Sequence, residues 1–186
     1  MTVPIHETYP LGLRLDGRRV VVVGGGPVAA RRARGLLDAG AVVTVVAPYV
    51  CEDLAELLAT HGPGTAGHAA HAPAAVPARD ARLSWMRRDY LTGDLDGAWL
   101  VHTATGDARV DAEVAADAEA DRVFCVTAGD AERATAWVPA VARTLVPGAS
   151  GAEEGEVTVA VNAGRDPRRA QRVRDAVAVL LETGEL

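Results

Sequence analysis

The apolar positions of this chain fall into short continuous runs separated by stretches with helical spacing. Val20–Val23 is wholly apolar and β-branched, the pattern of a strand buried on both faces. Ala29, Ala33, Leu36 and Leu37 then recur at helical spacing, and Gly40 is placed to end that helix. Val42–Val46 repeats the strand pattern and stops at Ala47-Pro48. Glu52–Ala59 carries Leu54, Leu57 and Leu58 on one side, which predicts a second helix. Leu83–Tyr90, Ala98–Thr103 and Arg122–Val126 read as three more strands. A helix over Arg109–Ala120 separates the last two, with Asp107 as its simplest N-cap. Upstream, Tyr9–Leu15 is an apolar lead-in and Asp16-Gly17 a turn into the first strand. Strands alternating with helices at this spacing predict an α/β fold, a Rossmann-type doubly wound parallel sheet.

After Asp130 the pattern changes. Ala136–Arg143 and Glu156–Val161 read as two strands joined by a Gly- and Glu-rich loop. Pro139 confines the first of them to an edge or a bulge. A last helix follows, with Asp166 as N-cap and Pro167 at N1. Ala170, Val173, Val177, Leu180 and Leu181 give it an apolar stripe. The expected division is a nucleotide-binding domain over 1–134 and a small β-hairpin/helix appendage over 135–186 for dimerisation and substrate contact. Residues 61–80 are Ala, Pro, Gly and His in low-complexity order, read as a flexible surface loop.

Composition narrows the class. Of 186 residues 49% are hydrophobic but only 4% aromatic, so the core must be built from Val, Ala and Leu. The net charge of −6 argues against nucleic-acid or anionic-membrane partners. No apolar run approaches the roughly 20 residues of a membrane span, and the first residues lack the plan of a signal peptide. A cytoplasmic location follows as an expectation. Cys51 and Cys125 are far apart, without zinc-ligand spacing. His61, His68 and His71 have no carboxylate or Cys partner at ligand spacing, so no resident metal is expected.

The chemistry begins at the first turn. Gly24, Gly26 and Ala29 fit G-x-G-x-x-A between a strand and a helix, the cradle of a dinucleotide pyrophosphate. Gly24 permits the tight turn, Gly26 lets the backbone approach the phosphates, and Ala29 lets the helix pack close to the sheet. The helix N-terminus adds N–H groups and a positive dipole end. Ligands of such sheets bind beyond the carboxyl ends of the strands, which gathers Gly24–Val28, Ala47-Pro48, Thr103–Thr105 and Thr127–Asp130 around one crevice. Gly24, Gly26, Pro27, Val28, Ala47, Pro48, Thr103 and Thr105 are therefore the expected cofactor-binding residues. The acidic residue that a generic NAD fingerprint places after the second strand is missing, so the motif alone leaves NAD versus NADP open.

The ordered set resembles the N-terminal part of siroheme synthase, the precorrin-2 dehydrogenase/sirohydrochlorin ferrochelatase family. The likeness is carried by GGGPVAARRARGLLDAGAVVTVVAP, DGAWLVHTAT, the RVFCVTAGDAERATAWVPAVAR segment and VTVAVNAG. It implies oxidation of precorrin-2 to sirohydrochlorin with NAD⁺ as hydride acceptor, with Fe²⁺ as a further substrate where the chelatase activity is retained, and a homodimer built through the hairpin. It also implies an essential aspartate a few residues beyond Phe124-Cys125, here Asp130, acting as general base. Asp107 is the rival acid at the same sheet edge.

A polycarboxylate substrate needs cations. Arg165, Arg168, Arg169, Arg172 and Arg174 cluster early in the last helix, where positive charge opposes the helix dipole. Arg143, Arg165, Arg168 and Arg169 are the expected substrate-binding set; a solvated basic face is the plainer alternative. Two departures from the family pattern bear on the chelatase half: NAGRDP replaces a Ser- and Gly-rich turn ending in Ser-Pro, and the sequence stops at Leu186, where many relatives continue. Two other readings stand beside this one, a regulatory NAD(P)-sensing module without catalysis and a reductase acting on a small substrate.

Overall fold

The valine run that dominates the sequence lies at the centre of the sheet. The computed structural model describes residues 8–63, 82–130, 132–146, 155–164 and 166–183. In it β1 (Arg19–Val23) pairs with β2 (Val42–Val46) on one side. Beyond β2 lies β3 (Leu83–Met86); on the other side of β1 come β4 (Leu100–Thr103) and then β5 (Phe124–Thr127). The five strands are parallel in the order β3-β2-β1-β4-β5. A strand flanked on both edges and covered on both faces has no polar side, which is why Val20–Val23 show no alternation.

Three helices cover the sheet. α1 (Pro27–Asp38) and α2 (Glu52–His61) lie on one face, where Ala29, Ala33, Leu37 and Leu54 meet Val20, Val22, Val43 and Val45. α3 (Ala108–Ala120) covers the other, where Val114 and Ala118 meet Val21, Val23, Val101 and Cys125. Strand order thus reverses between β1 and β4, and the helices that follow them leave for opposite faces. The two carboxyl ends part there and open a crevice, the usual ligand position of a doubly wound sheet.

Several boundaries differ from the sequence expectation. β3 ends at Met86, not Tyr90, because the Arg88 N–H turns back onto the Met86 carbonyl at 2.9 Å. The Arg88 guanidinium then grips both Asp94 oxygens at 2.6 and 2.7 Å. β4 begins at Leu100 and β5 at Phe124; Arg122 has φ 57° and belongs to the turn before β5. The hairpin strand expected from Ala136 starts later, at Ala140. Thr135 and Ala136 instead both donate their N–H groups to the Cys125 carbonyl at 3.0 Å, which binds this segment beside β5. Of the apolar lead-in only Leu15 is buried; Tyr9, Leu11 and Leu13 are exposed.

Leu11–Trp137 forms one compact unit and the described residues on either side of it group into a second. The second unit contains β6 (Ala140–Val146) paired antiparallel with β7 (Gly155–Val161), and α4 (Pro167–Thr183) packed on that hairpin. Asp166 caps α4 by accepting the Arg169 N–H at 2.9 Å, with Pro167 in the first turn, as the sequence suggests. The apolar stripe of α4 needs correction. Ala170, Val177 and Leu181 are shielded, but Val173 and Leu180 lie exposed. His68 and His71 lie outside the described residues, as does nearly all of the low-complexity stretch.

Candidate functional site

The β1–α1 turn passes so close to the β4–α3 turn that only glycine fits at Gly24. Its φ is 120°, and a Cβ there would stand 2.3 Å from the Ala104 carbonyl oxygen. Gly25, which the motif leaves unassigned, is tighter still: a Cβ would stand 1.8 Å from the Tyr49 carbonyl oxygen. Gly26 is different. It has an ordinary φ of −84°, and a Cβ added there would meet nothing within 4 Å, so neither conformation nor packing demands glycine. A side chain at Gly26 would instead fill the crevice. What sets Gly26 apart from other open glycines is its place on the lining of the crevice, where bare backbone lets a ligand approach closely.

The neighbouring helix end has matching electrostatics. α1 starts at Gly26 with no side-chain cap, no acidic residue in its first turn and Pro27 at N1. Its first N–H groups and the positive end of its dipole therefore face the crevice uncompensated, which suits a diphosphate. Absence of a competing carboxylate at this turn is what a dinucleotide requires, and the residues present fit one.

Two adjoining concavities open on either side of this turn. The first, about 680 Å³, is lined by Gly26, Pro27, Val28, Thr105, Asp111 and Thr127–Asp130, with Arg133. The second, about 530 Å³, is lined by Gly24–Gly26, Ala47–Tyr49, Asp89, Tyr90 and Thr105, with the start of α3. The predicted cofactor residues Gly24, Gly26, Pro27, Val28, Ala47, Pro48 and Thr105 are thus brought together. Thr103 is the exception: it is only 1% exposed, and its hydroxyl is bonded to Asp111 beneath the crevice floor.

Asp130 lies at the rim of the first concavity, beyond β5. One carboxylate oxygen accepts the Glu132 N–H and the other the Arg133 Nε–H, both at 3.0 Å. With 46% of its side chain exposed, it keeps lone pairs open to the crevice. Asp107, the rival acid, caps α3 by accepting from the Arg109 N–H at 2.8 Å. Asp111, one helical turn further on, escaped the sequence reading. Its Oδ1 takes the hydroxyls of Thr103 and Thr105 and, at 3.3 Å, the Thr105 N–H. It thereby fixes the β4–α3 wall. The only hint of it in the sequence is its spacing of four residues from the Asp107 cap.

Buried titratable groups nearby are held in fixed states. Burial, helped by the Asp111 carboxylate, pushes the Cys125 thiol up to about 11, so it stays protonated at neutral pH and is no nucleophile. Burial drives His102, on the α1 face of β4, down to about 4, and the Arg32 guanidinium pushes it the same way. Burial and the 2.8 Å hydrogen bond to Asp117 raise the Tyr90 phenol. Burial opposes ionisation of Asp94, but the bonds from Arg88 and the Leu91 N–H outweigh it and hold its carboxyl below the usual range.

The arginines expected to hold substrate belong to the second unit. Arg143 lies on β6, half exposed, 4.0 Å from Glu156. Arg168 and Arg169 are exposed in the first turn of α4, Arg172 is exposed one turn later, and Arg174 is paired with Asp175 at 2.5 Å. Arg165 lies outside the described residues.

Comparison with known proteins agrees with this geometry. Residues 11–140 match the family model described as "Putative NAD(P)-binding". The chain is 32% identical to siroheme synthase 3 of Aeromonas hydrophila over 94% of its own length and 31% of that protein's. It is 34% identical to the siroheme synthase of Tolumonas auensis over the same shares. The chain therefore spans about a third of the length of these curated relatives. A solved structure titled SirC, precorrin-2 dehydrogenase, superposes with a TM-score of 0.64 at 24% identity, covering 92% of this chain and 70% of that one, which shows a shared fold. No described helix is long and apolar enough to cross a membrane. Together with the Gly24–Gly26 cradle, these matches show that the chain belongs to the siroheme synthase N-terminal domain family of NAD(P)-binding proteins.

Proposed function

We propose that this protein oxidises precorrin-2 to sirohydrochlorin with NAD⁺, a step of siroheme biosynthesis, and does so as a cytoplasmic homodimer. The observation that carries the reading is that Asp130 and the N-terminus of α1 line one crevice at the carboxyl edge of the sheet. The names of the similar siroheme synthases support the substrate class.

Bound NAD⁺ would accept the hydride. The chain's own part is to hold the diphosphate on Gly24, Gly26 and the first turn of α1, and to take the proton that leaves with the hydride. Asp130 is the acceptor: Arg133 and the Glu132 N–H fix its orientation, and its remaining lone pairs face the concavity. Asp111 keeps the opposite wall in place through Thr105. Arg143, Arg165, Arg168 and Arg169 supply cations for the substrate carboxylates. Fe²⁺ enters the proposal as a second substrate, because a carboxylate that accepts a proton in oxidation also serves when a metal displaces protons from the macrocycle.

Precorrin-2 and NAD⁺, followed by sirohydrochlorin absorbance, test the reading. Wild type turns over, while Asp130→Asn loses about 10²-fold or more in kcat and binds NAD⁺ unchanged. Binding of NAD⁺ without turnover by wild type would favour the sensing module. Full turnover by Asp130→Asn, with loss in Asp111→Asn, would move the base to Asp111. Sirohydrochlorin with Fe²⁺ tests the chelatase half separately.

A further inference from the structure

The fold leaves one recognition problem unsolved. A Rossmann site reads the adenosine ribose with an acid at the end of β2, and here β2 runs into Ala47-Pro48-Tyr49. The two concavities have different neighbours. The first adjoins Asp130 and the end of β5, so under the reading above it takes the reacting end of the nucleotide. The second adjoins the ends of β2 and β3, so it takes the adenosine end. Three acids line it: Asp89, Asp107 and Glu113. Asp107 is spent on capping α3, and Glu113 is paired with Arg109 at 3.6 Å. The Asp89 carboxylate makes no hydrogen bond or ion pair with any described residue.

Asp89 is also unusually well placed for an exposed side chain. The residue before it, Arg88, is clamped to Asp94 at 2.6 and 2.7 Å, and donates to the Asp89 carbonyl at 2.9 Å. The residue after it, Tyr90, is buried, and its hydroxyl donates to Asp117 at 2.8 Å. Anchored on both sides, Asp89 presents its acid on a rigid backbone rather than on a loose loop. Tyr49, 74% exposed at the same concavity, offers an aromatic face of the kind on which a base stacks.

We propose that Asp89 supplies the acid missing after β2. It accepts hydrogen bonds from the adenosine ribose hydroxyls and repels a 2′-phosphate, so that NAD⁺ is preferred to NADP⁺. The inference rests on the nucleotide-binding reading of the crevice, which already takes NAD⁺ as the cofactor, and adds the residue that sets that choice. Arg109 does not reverse the sign, because its guanidinium is matched by Glu113.

Calorimetric titration of the full chain with NAD⁺, NADP⁺ and ADP-ribose, without tetrapyrrole, provides the test. Wild type binds NAD⁺ and ADP-ribose more tightly than NADP⁺. Asp89→Ala weakens NAD⁺ and ADP-ribose alike by about tenfold or more, the loss of a charge-assisted hydrogen bond. Asp89→Asn removes the repulsion and improves NADP⁺ relative to NAD⁺ by on the order of tenfold. Unchanged melting temperatures confirm that either variant is folded, as expected at an exposed position. An unaltered NAD⁺/NADP⁺ ratio in both folded variants overturns the assignment, as does loss of NAD⁺ affinity with ADP-ribose unaffected. Wild type that binds none of the three ligands overturns the nucleotide reading itself, a distinguishable failure.

Discussion

The sheet unit has a closed core, in which Leu54, Leu83, Leu95 and Val114 have no exposed surface, although Tyr49, Leu91, Trp99 and Phe124 outside it remain 41–74% exposed. In the hairpin–helix unit Val141, Leu145, Val173 and Val179 stand 40–62% exposed. Five strands between two helical layers can shield both faces of every inner strand. Two strands and one helix shield a single face, and the exposure pattern along β7 alternates accordingly. The first unit therefore has a core closed on both faces of the sheet. In the second, the outer hairpin face and part of α4 stay open, surface that the homodimer proposed above would cover.

That contrast can be broken most severely at Gly25. Gly25→Ala drives a methyl into the Tyr49 backbone, which neither segment can relieve by a rotamer change. A loss of about 3 kcal/mol or more in unfolding free energy is expected by chemical denaturation. A loss under 1 kcal/mol would mean that the turn is far more compliant than its geometry. Next comes acid sensitivity. Folded His102 stays neutral down to about pH 4, whereas the unfolded chain takes that proton near pH 6.5. Between these values the unfolded state binds more protons, so stability falls as pH is lowered, by about 3 kcal/mol in all. His102→Leu should flatten that part of the pH profile, and an unchanged slope would place the titration elsewhere.

The smaller effects probe the second unit. Val141→Ser and Leu145→Ser, in a chain whose outer hairpin face is covered by a second copy, should each weaken association by about 1–2 kcal/mol in sedimentation equilibrium. If that face meets only water, both changes stay within about 0.5 kcal/mol by any measure. Asp166→Ala, which removes the α4 cap, should cost about 1 kcal/mol of stability in either case.

What could be read from the sequence was what is local. β1, the glycine turn and α1 are contiguous, and their buried, apolar pattern has no competing interpretation. Ala136-Trp137-Val138 misled because an apolar triplet reads as strand wherever it occurs. Its true position is set by two N–H groups meeting one carbonyl of Cys125, a contact without sequence signature. Asp111 and Asp89 were missed for the same reason. Asp111 acts through Thr103 and Thr105, and Asp89 lines one concavity with the end of β2, neighbours that only the folded sheet brings near. Thr103 was legible as a neighbour of the site but not as buried, because the side of β4 it faces depends on register with β1.

Gly26 separates two kinds of selection. Because no described residue touches the space its side chain would occupy, a search for well-expressed, heat-resistant variants should accept alanine or serine there as readily as on an open loop. A search for variants that retain the nucleotide should reject them. Positions where those two lists diverge trace the outline of a ligand without its ever being seen, and Gly26 would be the first point on that outline.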